Sequence, residues 1–292
     1  MNLIQIIDTF KTEQDCITHL ENKRWINGVV CPYCKSHKTS THASKDREIA
    51  RHQCQSCKKT FSVKVGTIFE GTHITLQKWF LLIALMMNAK KSLSACQASR
   101  DLGIRRTTVW SMMHRIRKAL TQDADLLCGI VEVDETYTCT KKDDNDDDLP
   151  KMRGRGCNKQ AIVGMVERGG KVKAQKQDKL NFDALKKLIF NSINIKKSIL
   201  CTDEYRGYTP FKNHLPHYTV NHSIKEYARN GVHTNTIEGF WAILKRGIKG
   251  QFHHISIKYL NKYLDEFCYR YNMRYTNQDA IFGDVVGKML FL

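Results

Sequence analysis

The sequence predicts an α/β domain with a mixed sheet, preceded by a small cysteine-rich ribbon and a helical domain. Three observations predict this arrangement. Short apolar strands alternate with helical segments after about residue 123, and two C-x-x-C pairs lie before residue 60. A stretch of helical periodicity separates the two regions. We therefore expect a helical lead-in at residues 1–28, a cysteine-rich ribbon at 29–70, a helical domain at 71–122 and the α/β domain at 123–292.

Composition indicates a basic protein with a polyanionic partner. The net charge is +18 and the pI is about 9.4, which favours nucleic acid over a neutral ligand. A hydrophobic content of 41% argues against wholesale disorder. The longest apolar run is too short to cross a bilayer, and the N-terminus lacks the pattern of a signal peptide. We expect no membrane partner and a cytoplasmic protein, associated with the nucleoid when bound to DNA.

The cysteines of the ribbon have the spacing of a structural metal site. Cys31 and Cys34 form one C-x-x-C knuckle, and Cys54 and Cys57 form a second one after nineteen intervening residues. Two knuckles at this separation are typical of tetrahedral Zn²⁺ bound by four thiolates, with no open position for catalysis. Because the chain has eleven cysteines and no signal peptide, a disulfide framework is disfavoured. Contact of the ribbon with DNA and contact with protein both remain open.

The helical region predicts a helix-turn-helix. A first helix from about residue 94 ends at a turn containing Gly103, and a basic helix capped by a threonine follows over residues 105–117. The N-terminal end of that second helix would present its side chains to base edges or phosphates. The candidate DNA-binding residues are Arg105, Arg106, Thr107 and Thr108. A plain helical bundle shares the apolar spacing and stays open as the alternative.

The pattern after residue 123 is strand, hairpin, strand, helix, strand, then helix. Asp134 lies inside an apolar strand, and Asp203 directly follows the strand at 198–202, which we expect to run parallel to the first. The acidic run at 141–149 is interpreted as a solvated hairpin tip. This order suits a mixed sheet flanked by helices, as in a ribonuclease-H-like fold.

Acidic and amide side chains from two strands and a helix could hold hard divalent cations. We expect Asp134 to bridge two ions, Asp203 to hold one of them, and Glu238 or Asn235 to hold the other, with Lys245 near a DNA phosphate. Asn235 and Glu238 share one helix face because they are three residues apart. The alternatives are a hydrogen-bonded strand end for Asp134 and a helix cap for Asp203. Glu135 and Glu204 are expected to point elsewhere on an extended strand.

These motifs resemble those of insertion-sequence transposases that have an N-terminal zinc ribbon and a DDE-type catalytic domain. The resemblance rests on Val-Asp134-Glu-Thr-Tyr, on Thr-Asp203-Glu-Tyr-Arg-Gly-Tyr and on His233-Thr-Asn-Thr-Ile-Glu238-Gly-Phe-Trp-Ala-Ile-Leu-Lys245. It continues into residues 250–256 and 263–272, so that with the cysteine knuckles it covers nearly the whole chain. The 34 residues between Asp203 and Glu238 resemble the usual separation in the family.

The resemblance implies a ribonuclease-H-like domain with Mg²⁺ (or Mn²⁺) as catalytic ions and Zn²⁺ as a structural one. It implies DNA cleavage and strand transfer at terminal inverted repeats, joining to target DNA, and a homodimer or larger assembly. The third catalytic residue of the family is either Glu or Asn, and we rank Glu238 above Asn235 because the amide is a weaker ligand. A metal-dependent nuclease without strand transfer and an inactive DNA-binding regulator are the rival functions.

Overall fold

A computed structural model describes residues 1–42, 51–140, 159–220 and 232–291. The predicted acidic hairpin tip at 141–149 lies outside these residues. The chain divides into two compact units, one formed by residues 1–120 with 275–292 and the other by residues 121–274. The predicted catalytic domain extends to residue 292, whereas residues 275–292 of the structure cluster with the N-terminal unit. The functional domain borders stay predictions.

The helices are α1 (Leu3–Thr9), α2 (Glu13–Arg24), α3 (Leu76–Asn88), α4 (Ala95–Leu102), α5 (Arg106–Ala119), α6 (Phe182–Phe190), α7 (Asn235–Gly247), α8 (Leu260–Asn272) and α9 (Gln278–Leu290). The strands are β1 (Thr39–His42), β2 (Arg51–Cys54), β3 (Thr60–Phe61), β4 (Leu127–Thr140), β5 (Lys159–Glu167), β6 (Val172–Gln177), β7 (Ile193–Thr202) and β8 (His217–Thr219). A 3₁₀ helix spans Arg206–Asn213.

The first unit combines an antiparallel ribbon with packed helices. Strands β1, β2 and β3 pair in that order, and α3 supplies a buried apolar face that includes Trp79 and Phe80. Helix α4 ends at Gly103, whose left-handed φ of 60° makes the tight turn into α5. The predicted threonine cap of α5 is wrong, because Arg105 occupies the cap position and makes no side-chain capping bond. The two helices and their turn otherwise follow the sequence prediction.

The second unit contains, within its described residues, a five-stranded mixed sheet of order β6-β5-β4-β7-β8. Strand β5 is antiparallel to both β4 and β6, while β7 is parallel to β4 and β8 is parallel to β7. The predicted parallel pairing of the two aspartate-bearing strands is thus confirmed. Helices α7 and α8 cover one face of the sheet, and α6 with the 3₁₀ helix covers the other. This is the expected ribonuclease-H-like α/β arrangement.

Side-chain amides cover the outer edge of β6. Asn272 accepts from the backbone N–H of Val172 (2.7 Å) and donates to its carbonyl (3.1 Å). Gln122 makes the same pair of bonds with Ala174, at 3.0 and 2.8 Å. Asn261 accepts from the N–H of Lys176 at 3.1 Å. The outward-facing backbone groups of this edge strand therefore form hydrogen bonds with side chains, in the positions where a further strand would otherwise pair.

None of the helices in the described part of the chain combines the length and the apolar character needed to cross a bilayer.

Candidate active site

Two of the predicted acidic residues meet at the centre of the sheet. Asp134 lies in β4, the middle strand, and Asp203 directly follows β7, the parallel strand beside it. Carboxylate oxygens of Asp134, Asp203 and Glu135 all lie within 4.8 Å of one another. The fold therefore brings together side chains that are 69 residues apart in the sequence.

The electrostatics of this cluster favour a cation. Burial is the main cause that raises the pKa of Asp134 to about 7, and repulsion from Glu135 and Asp203 adds to it. The indole N–H of Trp241, which donates to Asp134 Oδ2 at 3.0 Å, acts in the opposite direction. A divalent ion among these oxygens would offset both the lost hydration and the repulsion. The donor set consists of oxygen atoms alone, which suits Mg²⁺ or Mn²⁺.

The expectation that Glu135 points away from this cluster is wrong. The side chains of Glu135 and Asp134 leave opposite faces of β4. Both residues lie just beyond the last paired residues of β4 and β7, and there the Glu135 carboxylate comes close to those of Asp134 and Asp203. The buried hydroxyl of Tyr208 donates to Glu135 Oε2 at 2.9 Å and holds the carboxylate there. Burial, with the nearby charge of Glu135, raises the pKa of the Tyr208 hydroxyl, so that it acts as a donor. The second tyrosine of Asp-Glu-Tyr-Arg-Gly-Tyr was the sequence signal for this contact.

The alternative interpretation of Asp203 as a helix cap is not observed: Tyr205 occupies the cap position of the 3₁₀ helix, and a local turn contact is made by Asp203. Its Oδ1 accepts from the backbone N–H of Tyr205 at 3.1 Å, at the start of the 3₁₀ helix. A carboxylate has two oxygens and several lone pairs, so that this bond is compatible with metal binding.

Helix α7 carries the remaining candidates. Asn235 is its first residue, Glu238 is exposed in its first turn, and Lys245 is exposed in its last turn. Glu238 Oε1 accepts from the hydroxyl of Thr234 at 3.2 Å, and it is not among the carboxylates that cluster within 4.8 Å in the described residues. Trp241, one turn after Glu238, reaches Asp134 from the same helix. The third ligand therefore stays a prediction.

Sequence reasoning missed a second buried carboxylate on β4. Glu132 lies two residues before Asp134, on the same face of the strand, and its side chain is fully buried. It contacts Arg168 and the first turn of α7. Its place inside an apolar strand was the available signal, because a buried charge needs partners.

The four predicted cysteines form a second cluster in the first unit. Their sulfurs all lie within 4.8 Å of one another, with Cys31–Cys57 at 3.7 Å and Cys34–Cys54 at 3.5 Å. A tetrahedral site with Zn–S bonds of about 2.3 Å has sulfurs about 3.8 Å apart. Both knuckles share one backbone form, since Lys35 and Lys58, which follow them, each have φ of 61°. The geometry fits a four-thiolate metal site.

The predicted DNA-binding residues lie at the start of α5. Arg105, Arg106 and Thr107 are exposed and Thr108 is half-buried, while Val109 packs inward. The positively charged end of this helix therefore faces solvent.

Several known proteins are similar to this chain. An "Uncharacterized protein in transposable element ISH50" of Halobacterium salinarum is 28% identical over 251 residues, which cover 82% of this chain and 84% of the relative. Among solved structures, the Mos1 strand transfer complex is 15% identical with a TM-score of 0.30, covering 72% of this chain and 73% of that one. The mariner Mos1 paired end complex with Mg is 16% identical with a TM-score of 0.27, covering 69% and 76%. TM-scores this low support no conclusion.

Two family models match the chain. The transposase zinc-ribbon domain matches residues 11–60, which include all four clustered cysteines. The ISXO2-like transposase domain matches residues 126–272, about half of the chain, with the sheet, Asp134, Asp203 and α7 inside it. The chain therefore belongs to the family of DNA transposases defined by the ISXO2-like transposase domain.

Proposed function

We propose that the transposase activity of this chain resides in the carboxylates of Asp134 and Asp203, which bind divalent ions for cleavage and strand transfer at insertion-sequence ends. One observation carries the proposal: oxygens of these residues and of Glu135 lie within 4.8 Å at the centre of the family's catalytic domain. Bound Mg²⁺ or Mn²⁺ would activate the attacking oxygen and neutralise charge on the leaving oxygen.

Helix α7 supplies the third ligand, with Glu238 ranked before Asn235. Two ions about 4 Å apart, each about 2.1 Å from its ligands, place the outermost ligand oxygens about 8 Å apart. Glu238 therefore does not need to lie within the 4.8 Å cluster. The contact between Trp241 and Asp134 supports the assignment, because it places the adjacent turn of α7 beside the cluster. Lys245, near the other end of the helix, would contact a phosphate of the DNA.

The partner is double-stranded DNA, namely the terminal inverted repeats of the element and the target. Residues Arg105, Arg106, Thr107 and Thr108 would contact the repeats from the start of α5. The net charge of +18 supports further contacts with DNA phosphates beyond those made by the start of α5. Because two ends must be cut and joined together, the active form is a homodimer or a larger assembly. Structural Zn²⁺ on Cys31, Cys34, Cys54 and Cys57 would hold the ribbon together.

The test is incubation of the purified full chain with an end-containing DNA duplex and Mg²⁺. Asp134→Asn and Asp203→Asn should lose nicking and retain DNA binding. Asp178→Asn is the matched control, since Asp178 is an exposed aspartate of the same unit. Asp134→Asn should also unfold at the same or a higher temperature, because it removes a buried charge and its repulsion. Nicking retained by either active-site variant overturns the assignment.

Two further measurements define the chemistry. Products joined to a plasmid target identify a transposase, whereas cut ends without joined products identify a nuclease. Comparing Glu238→Gln with Asn235→Ala identifies the third ligand: we expect the first to abolish nicking and the second to reduce it.

A further inference from the structure

The buried carboxylate of Glu132 holds the start of helix α7. Its Oε2 accepts from the backbone N–H groups of Thr236 (2.8 Å) and Ile237 (3.1 Å), and its Oε1 accepts from the hydroxyl of Thr236 (2.9 Å). The first-turn N–H groups of a helix have no partner inside the helix. Thr234, at the cap position, makes no capping bond with its side chain. Glu132 thus caps α7 from a strand more than 100 residues earlier in the chain.

A cationic group completes the surroundings of Glu132. The Nε of Arg168 donates to Glu132 Oε1 at 2.7 Å, and another nitrogen of the guanidinium donates to the carbonyl of His233 at 2.9 Å. The ring Nδ1 of His233 lies 3.1 Å from the same carboxylate oxygen. Arg168 therefore joins the buried carboxylate to the backbone that leads into α7. The positive end of the helix dipole adds to this attraction.

Strand β4 and helix α7 are consequently joined at two points with matching spacing. Glu132 bonds to Thr236 and Ile237, and Asp134 bonds to Trp241. Two residues of a strand rise about 6.6 Å, and four to five residues of a helix rise about 6–7.5 Å. Two contacts so spaced fix both the position of the helix along the strand and its rotation. At about 100° per residue, Glu238 then lies about 60° around the helix from Trp241.

We propose that Glu132 is a positioning residue for the metal site: it fixes α7 against β4, so that the α7 ligand reaches the ions held by Asp134 and Asp203. The inference rests on the proposed function, since it requires that α7 provide a ligand. Glu132 is not among the clustered carboxylates of the described residues and would not itself hold the ions. Its effect on them passes through the helix that it caps, as outer-sphere partners generally tune a metal site.

Direct binding of Mn²⁺ to the DNA-free full chain, followed by the electron paramagnetic resonance of free Mn²⁺, tests the inference. Glu132→Gln retains the size of the side chain but places an amide against the helix N–H groups and removes the charge facing Arg168. We expect the Mn²⁺ dissociation constant to rise about 10–100-fold. The Mn²⁺ concentration that gives half-maximal nicking should rise by the same factor, with nicking recovering at saturating Mn²⁺.

A milder variant covers the case in which Glu132→Gln does not fold. Thr236→Val removes one donor to Glu132 and retains the backbone bonds, and we expect about a fivefold weaker Mn²⁺ affinity from the loss of one hydrogen bond. A purely structural role would lower the melting temperature of both variants and leave the dissociation constant of the folded protein unchanged. An unchanged dissociation constant in the folded variants overturns the inference.

The Asp134→Asn variant separates the two proposals. If Asp134→Asn abolishes Mn²⁺ binding while Glu132→Gln leaves it unaltered, the positioning role fails and the metal site stands. If Asp134→Asn binds Mn²⁺ like the parent protein, the proposed metal site fails, and the inference fails with it.

Discussion

Glycine at position 164 is required by the close approach of Trp241 to the sheet. Gly164 is the residue of β5 paired with Asp134. A Cβ atom built at this glycine lies 2.5 and 2.6 Å from two ring carbons of Trp241, and 3.0 Å from Cδ1 of Ile237. Carbon atoms in contact are about 3.5–4.0 Å apart, so that Gly164→Ala requires the indole to retreat by about 1 Å. The ring is 4% exposed and packs against Phe240, which leaves it little space.

Such a retreat also affects the active site. The indole N–H lies 3.0 Å from Asp134 Oδ2, and a further 1 Å ends that hydrogen bond. Overpacking costs about 1–3 kcal/mol, and a lost bond to a charged group adds a comparable amount. We expect Gly164→Ala to lower the free energy of unfolding by about 2–4 kcal/mol. For a unit of this size the melting temperature then falls by about 4–16 °C, which calorimetry measures.

A double-mutant cycle identifies the cause. Trp241→Phe removes the outer ring atoms, so that adding Gly164→Ala in that background should cost less than about 1 kcal/mol. Gly239→Ala is the matched control, because a Cβ at this position of α7 meets nothing within 4 Å. It should be neutral or stabilising by up to about 1 kcal/mol. The reasoning is refuted if Gly164→Ala unfolds at the temperature of the parent, or costs the same in both backgrounds.

Three further predictions concern other parts of the molecule. Burial lowers the pKa of His217 from 6.5 to about 4. The free energy of unfolding should therefore decrease as the pH falls from about 6.5 towards 4, because the unfolded chain binds the proton more readily. Urea titrations at several pH values should show this decrease for the parent protein and not for His217→Gln. Cys31→Ser should lose Zn²⁺ by elemental analysis and melt earlier than exposed-site Cys96→Ser, and equal melting would contradict a structural metal. Gln122→Leu should self-associate in sedimentation experiments while Gln175→Leu stays unassociated, because only the first frees the backbone of β6.

The parts of the site that sequence could predict are those set by local pattern. Asp134 and Asp203 follow from two apolar strands, and parallel pairing of those strands then brings the carboxylates together. The cysteine cluster follows from spacing alone. The sequence does not predict the position of the Glu135 carboxylate, because alternation along a strand gives only the direction in which a side chain leaves the backbone. The hydrogen bond from Tyr208 sets where this carboxylate lies.

The missed features depend on partners far away in the chain. Glu132 is bonded to residues 36 and 104 positions later, and no local pattern indicates which helix start it will cap. The assignment of α9 to the first unit has the same origin, because Met289 bonds to the backbone of Ile68 more than 200 residues earlier. Periodicity predicts a helix and its buried face, whereas the surface that the face packs against is a property of the whole fold.

The row of amide side chains along β6 restricts how copies of this protein can assemble. An edge strand with open N–H and C=O groups accepts a strand from any neighbour of suitable shape, including another copy of the same chain. Asn272, Gln122 and Asn261 already occupy those groups at every second residue. Continuation of the sheet from one copy into the next is therefore closed at this border. Any pairing of copies of this chain therefore has to use a surface other than the β6 edge.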